Sequence, residues 1–125
     1  MPEETPADRL REGAAYIRGH FCRHDVVDVD GNVCTLGAIT RAWQIESGDR
    51  RRPSTWMGVL LANDPIADLA VSAFHSYMSA NVSSFMRVSR VISIEDWNDS
   101  RAKDGREVAE HMEKAAAAWE ENGSA

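Results

Sequence analysis

The sequence predicts a mainly α-helical protein, a compact bundle of about four to five helices with one small β-hairpin. Apolar residues recur at helical spacing in several segments, and capping residues precede most of them. Two short β-branched runs flank a single Asp-Gly turn. The chain has 125 residues, of which 43% are hydrophobic and 27% charged. This size and composition predict one domain over residues 1–125, with frayed ends at about 1–4 and 121–125.

The first helix is predicted from its start signals. Thr5 is a suitable N-cap, Pro6 suits the first helical position, and Asp8 favours the positive end of the helix dipole. The spacing of the following apolar residues predicts a helix that ends near residues 18–20. These apolar residues are Leu10, Ala14, Ile17 and Phe21.

The hairpin and a second helix are predicted next. Residues 26–29 are a short β-branched run and residues 32–35 are a second β-type run, on either side of Asp30-Gly31, which is a good hairpin signal. Residues 36–46 then predict a helix, and Ser47-Gly48-Asp49 would end it.

The second half of the chain predicts further helices. Ser54 is a candidate cap for a segment over residues 55–62, and Asp64 with Pro65 predicts a helix that runs to Met78 or Ala80. Residues 81–90 fit either a helix or a strand. Residues 93–99 predict a short capped turn of helix followed by a bend. Asp104, with Glu107 three residues later, predicts a final helix that ends near Trp119.

The composition argues against several classes of function. The formal net charge is −6, which disfavours a general duplex-DNA binder, because phosphate affinity depends on clustered Lys and Arg. No apolar run reaches the roughly 20 residues that a transmembrane helix needs. Two cysteines and a polar, acidic start without a secretion signal lead us to expect a reducing, cytoplasmic setting. No phosphate-binding loop or zinc-protease motif is present, and we expect no cofactor.

Two motifs resemble those of a known family. They are Cys34-Thr35-Leu36-Gly37-Ala38-Ile39 and Ile94-Glu95-Asp96-Trp97-Asn98-Asp99, followed by a closing helix that contains Arg106-Glu107-Val108-Ala109. The chain resembles an uncharacterised family, a domain of unknown function, of small actinobacterial and actinophage proteins with Cys-x-Leu-Gly-Ala and Trp-Asn-Asp motifs. The resemblance implies a bacterial or phage origin and a bacterial cytoplasmic setting. It implies no activity.

Cys34 is the first candidate for chemistry. A thiol at a helix N-terminus feels the positive end of the dipole, which favours the thiolate. His75 is a candidate general base, and Asn98 or Asp99 is a candidate to orient it, as in cysteine hydrolases. The alternative is that Cys34 is a buried small apolar residue and that Gly37 and Ala38 allow close helix packing, which is the commoner fate of a free cysteine.

A metal site is a weaker hypothesis. His20, Cys22 and His24 alternate and would share one face of an extended segment. With Cys34 or Asp25 as a fourth ligand they would make a zinc site, but their spacing matches no common structural zinc pattern. The alternative is that Phe21 and Cys22 pack inward while both histidines are solvated.

Three further groups are candidate binding residues. Trp97, Asn98 and Asp99 form either a contact surface or a buried anchor with turn-stabilising polar groups. Arg50, Arg51 and Arg52 form either a site for an acidic partner or a solvated loop. Glu107 and Glu110 belong to an acidic helix face that either docks a basic partner or is simply exposed.

Three functions therefore remain open. The favoured one is a small, non-enzymatic interaction protein that binds a host macromolecule or a second copy of itself. The alternative is a cysteine-dependent hydrolase or transferase that uses Cys34 with His75. The third is a nucleic-acid-associated protein, which the net negative charge makes the least favoured.

Overall fold

The computed structural model describes residues 3–45 and 56–122, and that part of the chain contains six α-helices. The predicted mainly α-helical class is therefore confirmed, but the described residues contain six helices and not the predicted four to five. None of the described helices is both long and apolar enough to cross a bilayer. The helices are α1 (Pro6–Ile17), α2 (Thr35–Ile39), α3 (Met57–Ala62), α4 (Pro65–Asn81), α5 (Arg90–Ser100) and α6 (Gly105–Asn122), with a short 3-10 turn at Ala42–Gln44 after α2.

Helix α6 packs against both α1 and α4 and makes its most extensive contacts with α1. Salt bridges tie the two helices together: Arg11 lies 2.7 Å from Glu120, and Arg18 pairs with Glu113. Arg18 follows Arg11 in the chain, whereas its partner Glu113 precedes Glu120. Helices α1 and α6 are therefore antiparallel. Large side chains buried in the interior include Leu10, Ile17, Phe74, Met78, Ile94 and Met112.

The predicted helix starts are confirmed where the cap is local in sequence. The backbone N–H of Asp8 donates to Thr5 Oγ1 (3.1 Å), and Thr5 N–H donates to Asp8 Oδ2 (3.0 Å), which completes a capping box for α1. Asp64 Oδ1 accepts from the backbone of Ala67 (3.1 Å) at the start of α4. Asp104 accepts from Glu107 N–H (2.9 Å) at the start of α6.

The predicted β-hairpin is wrong. Within the described residues the extended segments make only single-residue pairings, in which Val33 is bridged to Phe21 in parallel and to Val27 in antiparallel fashion. The Asp30-Gly31 turn does form. Asp28 Oδ1 closes it by accepting hydrogen bonds from the backbone N–H groups of Asp30 and Asn32. However, α2 begins at Thr35, so the second strand ends before a ladder can develop.

The helix predicted over residues 36–46 is shorter than expected. Helix α2 ends at Ile39, and Arg41 has a left-handed backbone (φ 59°, ψ 37°). The Arg41 guanidinium pairs with Glu4 (2.8 Å) and Glu12. These ion pairs with the N-terminal segment favour a chain reversal at this point. The predicted end at Glu46 and the cap Ser54 lie outside the described residues.

The segment over residues 81–90, for which the sequence fitted either a helix or a strand, is neither of these from residue 82 to residue 89. Residues 82–89 connect α4 to α5, and Phe85 anchors them with only 4% of its surface exposed. Helix α5 begins at Arg90, three residues before the predicted turn, and continues through the second motif to Ser100. The Arg90 guanidinium donates to Ser72 Oγ (2.7 Å) and Asp68 Oδ1 (2.8 Å), which ties the start of α5 to α4.

Candidate functional site

The two motifs of the sequence meet at the contact between α2 and α5. Asn98 Oδ1 accepts hydrogen bonds from the Thr35 backbone N–H (2.9 Å) and the Thr35 hydroxyl (2.7 Å). Asn98 Nδ2 donates to the backbone carbonyl of Cys22 (3.2 Å). Asn98 and Thr35 are buried, with 1% and 0% of their surface exposed. The Asn98 amide therefore satisfies backbone and side-chain groups that water cannot reach.

Gly37 is required by close approach of the backbone. A Cβ atom at this position would lie 2.0 Å from the carbonyl oxygen of Val26. Because that neighbour is a backbone atom, a side chain at residue 37 would force the segment away from α2. Ala38, the next residue, is fully buried. The small residues of the first motif thus let α2 pack closely against the preceding chain.

Trp97 is a buried anchor, with 2% of its surface exposed. Its ring lies 6.2 Å from Phe74 and 5.5 Å, edge to face, from His111. The neighbouring Asp99 is half-buried and accepts a hydrogen bond from the backbone N–H of His24 (2.9 Å). The Trp-Asn-Asp motif thus joins α5 to α4, α6 and the loop before Val26.

The Cys34 thiol lies in the interior, with 7% of the residue exposed. Its Sγ accepts a weak hydrogen bond from the backbone N–H of Gly37 (3.4 Å). Burial raises the pKa of this thiol to about 12. A cavity of about 10 Å³ adjoins Cys34, Asn98 and Asp99, which is room for roughly one water molecule. The thiol is therefore neutral at physiological pH and has no space beside it for a substrate.

The candidate base, His75, is placed away from this cavity. It lies on α4, and its ring packs against Phe85 with centroids 5.5 Å apart. Its buried Nε2 has no hydrogen-bond partner in the part of the chain that the structure describes. The structure therefore brings Cys34 and Asn98 to one cavity but does not bring His75 to them. A nucleophile and a base within hydrogen-bond reach are the minimum for the cysteine-enzyme hypothesis.

The residues considered as metal ligands diverge. His20 is exposed and stacks on Tyr16, with ring centroids 4.3 Å apart. His24 is exposed beside Asp99, and the thiol of the half-buried Cys22 donates to the Asn32 carbonyl at 3.4 Å. Among residues 3–45 and 56–122, no group of three His, Cys, Asp or Glu side chains converges as metal ligands would.

The charged candidates are largely engaged within the protein. Glu107 accepts from the backbone N–H of Lys103 (2.9 Å), and Glu110 lies 3.7 Å from Arg106 on the same helix. Together with the two glutamates that pair with α1, these contacts occupy much of the acidic face of α6. Arg50, Arg51 and Arg52 lie outside the described residues.

An uncharged groove between α4 and α6 was not foreseen from the sequence. It is open to solvent and has a volume of about 430 Å³. Its described lining residues include none with a formal charge. They are Leu69, Ser72, Ala73, Ser76, Tyr77, Ala80 and Asn81 on α4, and Ala115, Ala118, Trp119 and Asn122 on α6. The sequence does contain a sign of this uncharged groove, because no Asp, Glu, Lys or Arg occurs from Leu69 to Asn81.

These features define a class of protein: a small helical domain in which buried motif residues join the helices and an uncharged groove faces solvent. The chain belongs to the family of unknown function DUF6197, whose family model matches residues 1–118. The predicted resemblance to an uncharacterised family is thereby confirmed. Comparisons with curated proteins and with solved structures found no match.

Proposed function

We propose that this chain is a non-enzymatic interaction protein that binds a helical segment of another protein in the groove between α4 and α6. The observation that carries the proposal is the groove itself, an uncharged surface on a chain in which 27% of residues are charged. Depletion of charge with enrichment of aromatic residues is typical of the centre of a protein interface.

The dimensions of the groove suit a helix. From Leu69 to Ala80 the groove follows α4 for eleven residue steps, or about 17 Å. About three turns of a second helix cover that distance. The floor consists of small side chains such as Ala73 and Ala115, which permit a close helix-to-helix approach. A partner helix would place apolar residues at spacings of three and four along this floor.

Three large side chains supply anchoring contacts. Tyr77 and Trp119 are half-buried in the groove wall, and 52% of the surface of Leu69 is exposed at one end. Trp and Tyr are the residues that most often dominate binding energy at interfaces. Because the chain carries a net charge of −6, a partner with basic residues beside its apolar stripe is favoured over an acidic one. A second copy of this acidic chain is disfavoured for the same reason.

Two matched substitutions test the groove. Ser76 is exposed and lines the groove, whereas Ala117 is exposed on α6 and does not line it. Each residue lies five positions before the last residue of its helix. Ser76→Glu and Ala117→Glu therefore add the same charge at equivalent helix positions, and both are expected to leave folding unchanged.

The assay is quantitative affinity capture from a lysate of the source organism with wild type and both variants. Binding of the recovered protein is then repeated with purified components. We expect a partner that wild type and Ala117→Glu retain and that Ser76→Glu loses by at least about tenfold, as a buried unpaired charge predicts. Its apolar helix is expected to protect amides of α4 and α6 from hydrogen exchange. Equal capture by all three proteins, or self-association through the groove in sedimentation, would contradict the proposal.

The proposed setting is the cytoplasm of a bacterium, or of a phage-infected bacterial host. Its supports are the family resemblance, which implies that origin, and two cysteines that are both free.

A further inference from the structure

We propose that Cys22 and Cys34 are an intramolecular cross-linking pair, which a low-molecular-weight disulfide such as oxidised glutathione converts to a Cys22–Cys34 disulfide. This inference is independent of the groove and its partner. It rests on the backbone pairing that places the two cysteines side by side, although they are twelve residues apart in sequence.

The pairing is a parallel bridge between Phe21 and Val33. Cys22 N–H donates to the Val33 carbonyl (2.9 Å), and Val33 N–H donates to the His20 carbonyl (2.7 Å). The residues after a bridged pair both point to the opposite side from that pair. Cys22 and Cys34 are those residues, so their side chains share one side. Paired extended segments are about 4.8 Å apart, and disulfides span Cα separations of about 4.4–6.8 Å.

The surroundings of the two thiols overlap. The Cys22 thiol donates to the Asp25 carbonyl (3.5 Å), and Asp25 also lines the small cavity beside Cys34. Cys34 N–H donates to the Val26 carbonyl (3.3 Å), so the same short segment borders both cysteines. Neither thiol has a strong hydrogen bond to lose, because their sulfur contacts are 3.4 Å or longer.

The reaction proceeds by two exchanges. The thiolate of Cys22, the more exposed of the two residues, attacks the reagent and forms a mixed disulfide, which releases one reagent thiol. The thiolate of Cys34 then attacks Cys22 Sγ, forms the Cys22–Cys34 bond and releases the second reagent thiol. The protein loses two electrons and two protons, and one reagent disulfide becomes two thiols.

The buried setting of the thiols determines the rate. Burial raises the pKa of both thiols to about 12, so the attacking thiolate is scarce at neutral pH. The rate of cross-linking is therefore expected to rise about tenfold per pH unit between pH 7 and pH 9. The disulfide joins the segment that follows α1 to the start of α2. It closes a loop of about a dozen residues and so lowers the conformational entropy of the unfolded chain.

The test uses the full reduced chain, folded by circular dichroism, and oxidised glutathione at pH 7, 8 and 9. Free thiols are then blocked in denaturant, and intact mass and an unreduced peptide map are recorded. We expect a monomer lighter by two hydrogen atoms, with the two cysteine peptides joined. Its Tm is expected to be about 5–10 °C higher than that of the reduced chain, and a reductant is expected to reverse the shift.

The single variants Cys22→Ser and Cys34→Ser are the controls, because each retains one thiol and cannot close the cross-link. Each is expected to remain a free thiol or a mixed disulfide, with no increase in Tm. The proposal is overturned if wild type stops at mixed disulfides, forms dimers, or reacts only in denaturant. It is also overturned if either serine variant acquires the same increase in Tm.

Discussion

Asn98→Leu is expected to destabilise the fold strongly, because it removes the amide that joins the two motifs. The substitution keeps a buried side chain of similar volume. Three groups lose their hydrogen-bond partner. They are the Thr35 N–H and hydroxyl, which lie 2.9 Å and 2.7 Å from Asn98 Oδ1, and the Cys22 carbonyl, which lies 3.2 Å from Asn98 Nδ2. A buried group without a partner costs about 1–3 kcal/mol, so three groups predict a loss of about 3–9 kcal/mol. The total free energy of unfolding of a small domain is about 5–15 kcal/mol, so this loss is a large part of it.

The measurement is urea unfolding followed by tryptophan fluorescence and circular dichroism, with the free energy taken from linear extrapolation. Asn81→Leu is the matched control. Asn81 is exposed, and its side chain donates to the Tyr77 carbonyl of its own helix (2.9 Å), so its replacement is expected to change stability by less than about 0.5 kcal/mol. Thr35→Val removes the hydroxyl alone and is expected to cost about 1 kcal/mol.

Two results would refute this account of the motif. One is an Asn98→Leu variant that unfolds within about 1 kcal/mol of wild type, which is the size of a single ordinary hydrogen bond. The other is an Asn81→Leu variant that is destabilised as much as Asn98→Leu. If Asn98→Leu is too unstable to purify, the milder Thr35→Val still tests the contact, because an unchanged stability there contradicts the buried hydrogen bond.

Three other predictions follow from the same structure. Gly37→Ala is expected to lower the free energy of unfolding by about 3 kcal/mol or more through overpacking. Gly58→Ala has open space at its Cβ position and is expected to raise the free energy of unfolding by about 0.5 kcal/mol. Thermal unfolding of the two variants and wild type measures both changes. Burial lowers the pKa of His111 below its usual 6.5, so the unfolded chain binds the proton more readily. The stability that depends on neutral His111 is then present above pH 6.5 and lost as the pH falls below it, and His111→Phe is expected to reduce the fall in Tm between pH 7 and pH 5. Native Cys34, with its pKa raised to about 12, is expected to react with iodoacetamide roughly 10³-fold more slowly than an ordinary thiol, and fast alkylation of folded protein would contradict its burial.

The sequence predicted those parts of the fold that depend on neighbouring residues. Thr5, Asp64 and Asp104 each cap the helix that follows within three residues. A capping hydrogen bond of this kind needs no knowledge of the rest of the fold. For the same reason the apolar spacing of Leu10, Ala14 and Ile17 predicted the buried face of α1.

The errors arose where distant residues decide the local structure. The left-handed turn at Arg41, which ends the second helix early, is held by Glu4 and Glu12, about thirty or more positions away in the chain. The hairpin failed because the chain enters α2 at Thr35, where the backbone N–H is bound by Asn98 from a distant part of the chain, so the second extended run ends too early. Likewise, the groove exists only once α4 lies beside α6, and residue spacing within either helix does not reveal which neighbour it will have.

The positions of the motif residues determine how function should be sought in this family. Asn98, Gly37 and Trp97 are all packed in the interior, so substitutions there are expected to remove any activity by unfolding the chain. Loss of function at these positions would therefore not locate a binding site. Exposed groove residues such as Ser76 and Leu69 differ in this respect, because their replacement changes the surface and leaves the core intact. A variant of that kind separates binding from folding, and the groove proposed as the binding site offers such exposed positions.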